Sequence, residues 1–258
     1  MNRDKRRRIY LIHLKTPEQI EKMKKAGEIL ADCHKEIKKL IKPGITTEEI
    51  DAFAENFILQ RGAIPEQKGY HGYPFATCAS INDVICHGFP SKTTLKDGDI
   101  VTIDMVVNLD GWLADSAWSY AVGNVSEEAK NLLKTTEEAL YIGIEQAVVG
   151  NRVGDISHAI QTFAEEKGYG VVRDFVGHAI GKEMHELPQI PHYGPPNVGT
   201  HLKEGMVITI EPMLNTGMYH AKVDLDGWTA RTVDGSLSAQ YEHTLAITAD
   251  GPVILTKQ

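Results

Sequence analysis

Residues Leu95 to Asp104 read LKDGDIVTID, and residues Leu202 to Glu211 read LKEGMVITIE. Five of the ten positions are identical, and four more exchange Asp with Glu or Ile with Val. The register runs on to Asn108 and Asn215. At a similar offset Gly44, Ile50, Phe57 and Gly62 match Gly150, Ile156, Phe163 and Gly168, and HGFP at His87 echoes HELP at His185. Ordered self-similarity of this kind marks a duplicated unit. The chain therefore reads as two α+β halves folded face to face.

The sequence around these segments fits that reading. From Pro17 to Ile41 apolar residues recur at helical spacing, with Gly44 ending the segment. Thr46 and Glu49 form a capping-box pattern that opens a second helix, and Gly62 is its expected stop. Phe75 to Gly123 is rich in β-formers. Helical stretches then begin at Ser126 and Asp155, and β-rich sequence returns from Val171 to Leu255. The expected organisation is a basic flexible tail over residues 1–12 and a single domain over 13–258, with pseudo-repeat halves at about 13–124 and 125–258.

Bulk composition narrows the function. The 258 residues carry a net charge of −8, which argues against a nucleic-acid binder working through its whole surface. The basic run from Arg3 to Arg8, RDKRRR, is the local exception; a solvated tail is the commoner reading of such a run, with transient contact with RNA or the ribosome as the alternative. Three cysteines make a disulfide framework an unsuitable explanation and fit reduced thiols in the cytoplasm. No run reaches membrane-spanning length, so no membrane partner is expected.

The pair Asp110-Gly111 lies between two β-rich runs and signals a two-residue hairpin turn. Counting outward pairs Leu109 with Trp112 and Val106 with Asp115. Asp104 shares the face of Val106, which makes Asp104 and Asp115 diagonal neighbours roughly 7–8 Å apart at the backbone. The other face of that strand, with Val101, Ile103, Met105, Val107 and Leu109, is apolar and marks the core side. The repeat places Glu211 equivalently to Asp104, and Glu242 lies in the β-rich segment SAQYEHTLAIT.

An unpaired charge inside an apolar strand costs several kcal/mol even after relaxation. A buried salt bridge is the plain alternative for any one acid, but no Lys or Arg lies in these strand cores. Four acids and a neutral imidazole carry four negative charges, which two divalent cations would balance. Oxygen-rich ligation with one nitrogen suits Mn, Fe, Co or Zn at a reactive site better than a structural zinc, which favours Cys. Among the 11 histidines, His87, His178 and His185 stand beside glycine turns or in loop-like settings where functional groups concentrate. His13, His34, His158 and His201 read as surface or packing residues, while His71, His192, His220 and His243 are open to either reading.

Asp104 followed eleven residues later by Asp115, then GHAIG at His178, His185, ITIEPM at Glu211 and SAQYEHT at Glu242 together resemble the methionine aminopeptidases of peptidase family M24. The similarity runs from about Thr16 to the C-terminus. It implies the pita-bread fold, an α+β architecture of two pseudo-symmetric halves around a curved, mainly antiparallel sheet with helices outside. Because only 31 positions separate Glu211 from Glu242, the resemblance is to the type I enzymes. It implies removal of the initiator methionine from nascent polypeptide N-termini that carry a small second residue, by a cytoplasmic monomer that needs no specific nucleic acid.

The same resemblance implies residue roles. Asp115 and Glu242 would bridge two divalent ions, Asp104 would complete one of them, and His178 with Glu211 the other. A hydroxide held between the ions would attack the first peptide carbonyl, with Glu211 as general base. His185 and His87 would hydrogen-bond the substrate or the tetrahedral intermediate. Tyr70, Tyr73, Cys78, His87, Met184, His185 and Trp228 would bind substrate, most of them lining the methionine pocket. Gln67 and Met184 depart from the cysteine and phenylalanine frequent there in relatives. The competing readings are another pita-bread aminopeptidase, such as a proline-specific enzyme, and a non-catalytic relative that binds peptides or ribosomes.

Overall fold

The structure is a computed structural model that describes residues 12–258. The basic run at residues 3–8 lies outside the described residues. The first pass of the chain opens with α1 (Pro17–Leu40) and α2 (Thr47–Leu59), followed by the short strands β1 (Ile64–Pro65), β2 (Cys78–Ile81) and β3 (Val84–Cys86). The long hairpin β4 (Ile100–Leu109) and β5 (Trp112–Ala121) completes it. The second pass opens with α3 (Glu127–Glu145) and α4 (Val153–Glu166) and continues through β6 (Gly170–Val171), β7 (Gly177–Ala179) and β8 (Glu186–Ile190). Then come β9 (Val207–Ile210), β10 (Met213–Asn215), the pair β11 (Ala221–Val223) and β12 (Ala230–Thr232), and finally β13 (Ser238–Gln240), β14 (His243–Thr248) and β15 (Gly251–Ile254).

Hydrogen bonding divides the strands into four antiparallel ladders. β4 pairs with β5, β2 and β1, while β15, β14, β9, β7 and β8 form a five-stranded sheet. Two three-stranded ladders, β13-β10-β6 and β11-β12-β3, complete the set, the second crossing from one half to the other. Val101, Ile103, Met105 and Val107 of β4 are buried against Leu30, Cys33 and Ile37 of α1, so the apolar face of that strand is the core side expected from alternation. In the other half Leu140, Ile156 and Ile160 cover Ile208 and Ile210. A third cluster, with Val106 and Leu113 from one half and Met184 and Val207 from the other, fills the seam.

The internal repeat extends to single hydrogen bonds. Leu95 N donates to Ile45 O and Leu202 N to Asn151 O, both at 2.8 Å. The isolated bridges Thr46↔Thr94 and Arg152↔His201 are likewise equivalent. Gly44 and Gly150 share a φ of 98°, and no atom lies within 4 Å of where a Cβ would stand at either. Backbone conformation, rather than space, calls for glycine there.

Local signals explain the element ends. Thr46 accepts from Glu49 N at 3.1 Å while Glu49 Oε2 accepts from Thr46 N at 2.8 Å, closing the capping box that starts α2. α4 begins at Val153, ahead of the expected Asp155, because Asp155 caps from the third helical position by accepting from Arg152 N at 2.7 Å. Asp110 and Gly111 have φ of 53° and 79°, both in the left-handed region a two-residue hairpin needs. The pairing follows the count from that turn, with Leu109 opposite Trp112 and Val106 opposite Asp115. All three cysteines are free and buried, and no helix among the described residues is long and apolar enough to cross a membrane.

Candidate active site

A cavity of ≈ 230 Å³ opens between the two halves, and all twelve residues singled out from the sequence line it. β4 and β5 carry Asp104 and Asp115. His178 is the middle residue of β7, Glu211 directly follows β9, and Glu242 stands between β13 and β14. His178 Nε2 lies 3.7 Å from both Asp115 Oδ2 and Glu211 Oε1. One ligand atom each from Asp115, His178 and Glu242 falls within 4.8 Å of the others. Asp104 Oδ1, Asp115 Oδ1 and Glu242 Oε1 are buried without a hydrogen-bond partner.

The electrostatics of this cluster are one-sided, because among the described residues no Lys or Arg lines the cavity. Burial raises the pKa of each of the four carboxyls, and their mutual repulsion adds to the rise at Asp115, Glu211 and Glu242. Burial lowers His178 to about 3, helped by the charge of His185, so it presents a neutral imidazole. A neutral nitrogen and carboxyl oxygens with unpartnered lone pairs form a donor set that fits a divalent metal ion, whose charge would offset the rise in the carboxyl pKa values.

Around the acids the wall is aromatic and soft. Tyr73 and Trp228 meet edge-to-face with ring centroids 5.0 Å apart. The Tyr73 hydroxyl donates to Thr77 O and Gly88 O at 3.0 and 3.2 Å, which fixes its ring. Cys78 opens β2 directly opposite Asp104, and Met184 is buried in the seam cluster. Gln67 also lines the wall: with its amide turned over, the nitrogen donates to Ala76 O at 3.1 Å and Asp104 O at 3.2 Å.

Three histidines face the cavity with different exposure. His87 directly follows β3 with a φ of 56°, and the next residue, Gly88, packs against Ala79 O, where a Cβ would clash. Burial lowers its pKa to about 4. His185 is exposed at the rim, and its Nδ1 lies 2.8 Å from the Tyr70 hydroxyl. Outside the cavity, His34 and His243 are buried packing residues, and His192 Nε2 accepts from Glu211 N at 3.1 Å.

Sequence reasoning missed Gln240, whose side-chain amide donates to Glu211 Oε2 at 3.3 Å, and Phe175, which packs edge-on against His87. Gln240 sits inside the segment SAQYEHT, but nothing in its spacing singles it out. Thr209, two residues before Glu211, donates to Glu211 Oε1 at 2.8 Å. Its place on the same strand face as Glu211 is the signal that could have found it.

Residues 21–249 match the model of metallopeptidase family M24. The chain belongs to that family, and membership implies use of a divalent metal. It is 52% identical to methionine aminopeptidase 1 of Bacillus subtilis over 247 residues, covering 96% of this chain and 100% of that one. It superposes on the crystal structure of methionine aminopeptidase from Rickettsia prowazekii with a TM-score of 0.94 at 45% identity, covering 95% and 100% of the two chains. Prolidase from Pyrococcus furiosus is more distant, with a TM-score of 0.77 and 27% identity, and this chain covers 65% of its length. The fold is the pita-bread fold expected from the sequence.

Proposed function

We propose that this chain is a methionine aminopeptidase that removes the initiator methionine from nascent polypeptides carrying a small second residue. The observation that carries the metal-dependent part is the set of buried, unpartnered oxygens on Asp104, Asp115 and Glu242, with Asp115 and Glu242 gathered beside a neutral His178. The relatives named methionine aminopeptidase, similar over nearly the full chain, support the substrate.

Asp104, Asp115, His178, Glu211 and Glu242 would hold two divalent ions, drawn from Co, Mn, Fe or Zn, whose four positive charges balance the four carboxylates. Bound there, the ions would polarise the scissile carbonyl and lower the pKa of water to about 7. Glu211 is the proton acceptor, kept in place by Thr209 and Gln240. His185 at the rim donates a hydrogen bond to the carbonyl oxygen or the tetrahedral intermediate, and neutral His87 on the inner wall accepts from the amide N–H of the bond being cut or contacts the intermediate. Assistance of this type contributes roughly 10²–10⁴-fold. Tyr70, Tyr73, Cys78, Met184 and Trp228 enclose the methionine side chain, whose thioether gains from polarisable and aromatic contacts.

On this reading residues 13–258 act as one catalytic domain with halves at about 13–124 and 125–258. The enzyme works as a monomer in the cytoplasm on emerging chains. Contact with the ribosome through the basic run at residues 3–8 rests on charge alone. The test is methionine release by metal-replete protein, which should trim Met-Ala-Ser and leave Met-Lys-Ser intact. Absence of methionine release from Met-Ala-Ser would overturn the substrate assignment.

A further inference from the structure

Asp115 on β5 and Thr244 on β14 are 129 residues apart in the chain. The Thr244 hydroxyl accepts from Asp115 N at 2.9 Å and donates to Asp115 O at 2.8 Å. The same arrangement recurs in the opposite sense. Ser119 Oγ on β5 accepts from Gln240 N at 3.1 Å and donates to Gln240 O at 2.8 Å. Each hydroxyl thus pins both main-chain polar groups of one residue belonging to the other half. Thr244 is fully buried and Ser119 is 4% exposed, so these bonds form out of contact with water.

Among the described residues, strand β5 pairs with β4 alone, which leaves the outward backbone groups of Asp115 without a strand partner there. The Thr244 hydroxyl supplies that partner from the facing half. Next to this clamp, Glu242 N donates to Ala117 O at 2.8 Å. Gln240, held by Ser119, passes the constraint on through its amide to Glu211 Oε2. The two clamps therefore meet Asp115 from one side and Glu242 with Glu211 from the other.

The clamping residues face repeat-equivalent threonines. Ser119 lies opposite Thr102, and Thr244 lies opposite Thr209. The Thr102 hydroxyl is 2.7 Å from Ser119 Oγ and braces that clamp. Thr209 turns away instead, donating to Glu211 Oε1 and accepting from His178 N at 3.0 Å. Duplicated positions have diverged, one to brace the join and one to hold two acceptor-bearing residues. A hydroxyl that only satisfied stray backbone groups could fall anywhere along β5 or β14. Here both Thr244 bonds fall on Asp115, and both Ser119 bonds fall on the residue that contacts Glu211.

We propose that Thr244 and Ser119 are reciprocal positioning residues that join the two halves and fix the separation of Asp115 from Glu242 and Glu211 before any ion binds. This rests on the metal-dependent reading above. Thr244→Val keeps the side-chain shape and removes both bonds, whereas Thr244→Ser keeps both, and Ser119→Ala tests the opposite clamp.

Each protein is stripped with chelator and titrated with Mn(II) by calorimetry and with Co(II) by visible absorption. Thermal unfolding of the stripped samples reports folding separately. Thr244→Val and Ser119→Ala should weaken binding about 10–100-fold and shift the Co(II) bands, while Thr244→Ser stays within about threefold of wild type. Wild-type affinity and spectrum in both Thr244→Val and Ser119→Ala would overturn the proposal, whatever happens to thermal stability. Equal impairment in Thr244→Ser and Thr244→Val would do so too. Should Thr244→Val not fold, Ser119→Ala carries the test alone. A wild-type protein that binds neither ion overturns the metal-dependent reading itself, an outcome distinct from loss of the clamps.

Discussion

The phenol oxygen of Tyr70 and Nδ1 of His185 lie 2.8 Å apart at the mouth of the cavity, tying a residue of the first half to a rim histidine of the second. If the phenol donates to Nδ1, the imidazole proton resides on Nε2, the nitrogen free to donate to substrate. Tyr70→Phe removes this bond and leaves the ring. Turnover should fall about tenfold with KM little changed, as for loss of a positioned hydrogen-bond donor. Steady-state kinetics on Met-Ala-Ser checks it, and an unchanged kcat would free His185 from dependence on Tyr70.

Asp104→Asn keeps the volume of the side chain but removes a negative charge and one anionic oxygen. Metal content and methionine release should fall together by at least about tenfold. Both are measured on one chelator-treated, reconstituted sample, so that occupancy and rate are not confused. Full occupancy with full turnover would remove Asp104 from the site.

Removing the metal should cost stability, since the folded protein binds the ion and the unfolded chain binds it poorly. At a free ion concentration about 100 times Kd the gain is about 2.7 kcal/mol, or about 5–10 °C in Tm for a chain of this size. Differential scanning calorimetry of stripped protein with and without Mn(II) reads it. An unmoved Tm would argue against ligation by buried groups.

His34 gives the protein a separate acid sensitivity. Its ring is fully buried, with Nδ1 2.9 Å from the Tyr120 hydroxyl and Nε2 3.1 Å from Ser116 O. Burial lowers its pKa to about 4, opposed by the Ser116 contact. The unfolded chain takes up a proton near pH 6.5 and the folded protein does not. The stability held by neutral His34 is therefore full above pH 6.5 and is lost as pH falls toward 4, by roughly 3 kcal/mol in all. Urea unfolding of wild type and His34→Gln across that window should show the difference shrinking as pH falls. A constant difference would remove His34 as the cause.

Much of the site could be read in advance because its geometry is local. The turn at Asp110-Gly111 fixes the β4–β5 register, and the register fixes where Asp104 and Asp115 stand. The repeat then carries Asp104 to Glu211 without any knowledge of tertiary structure. The bonds from Thr244 to Asp115 and from Ser119 to Gln240 were invisible for the opposite reason. They join residues 129 and 121 positions apart, and only the docking of one half on the other brings them together. The same limit explains why Val171 to Leu255 read as one β-rich stretch although it breaks into short strands in three different ladders. His34, read as surface or packing, resolved to packing because α1 lies flat on the hairpin and turns that residue inward.

Each half carries only part of the acidic cavity: Asp104 and Asp115 come from one, His178, Glu211 and Glu242 from the other. On the proposed reading, the ions would serve as a cross-brace as well as a reagent. Loaded protein should then melt as one cooperative unit, and ion retention would report that the two halves remain docked.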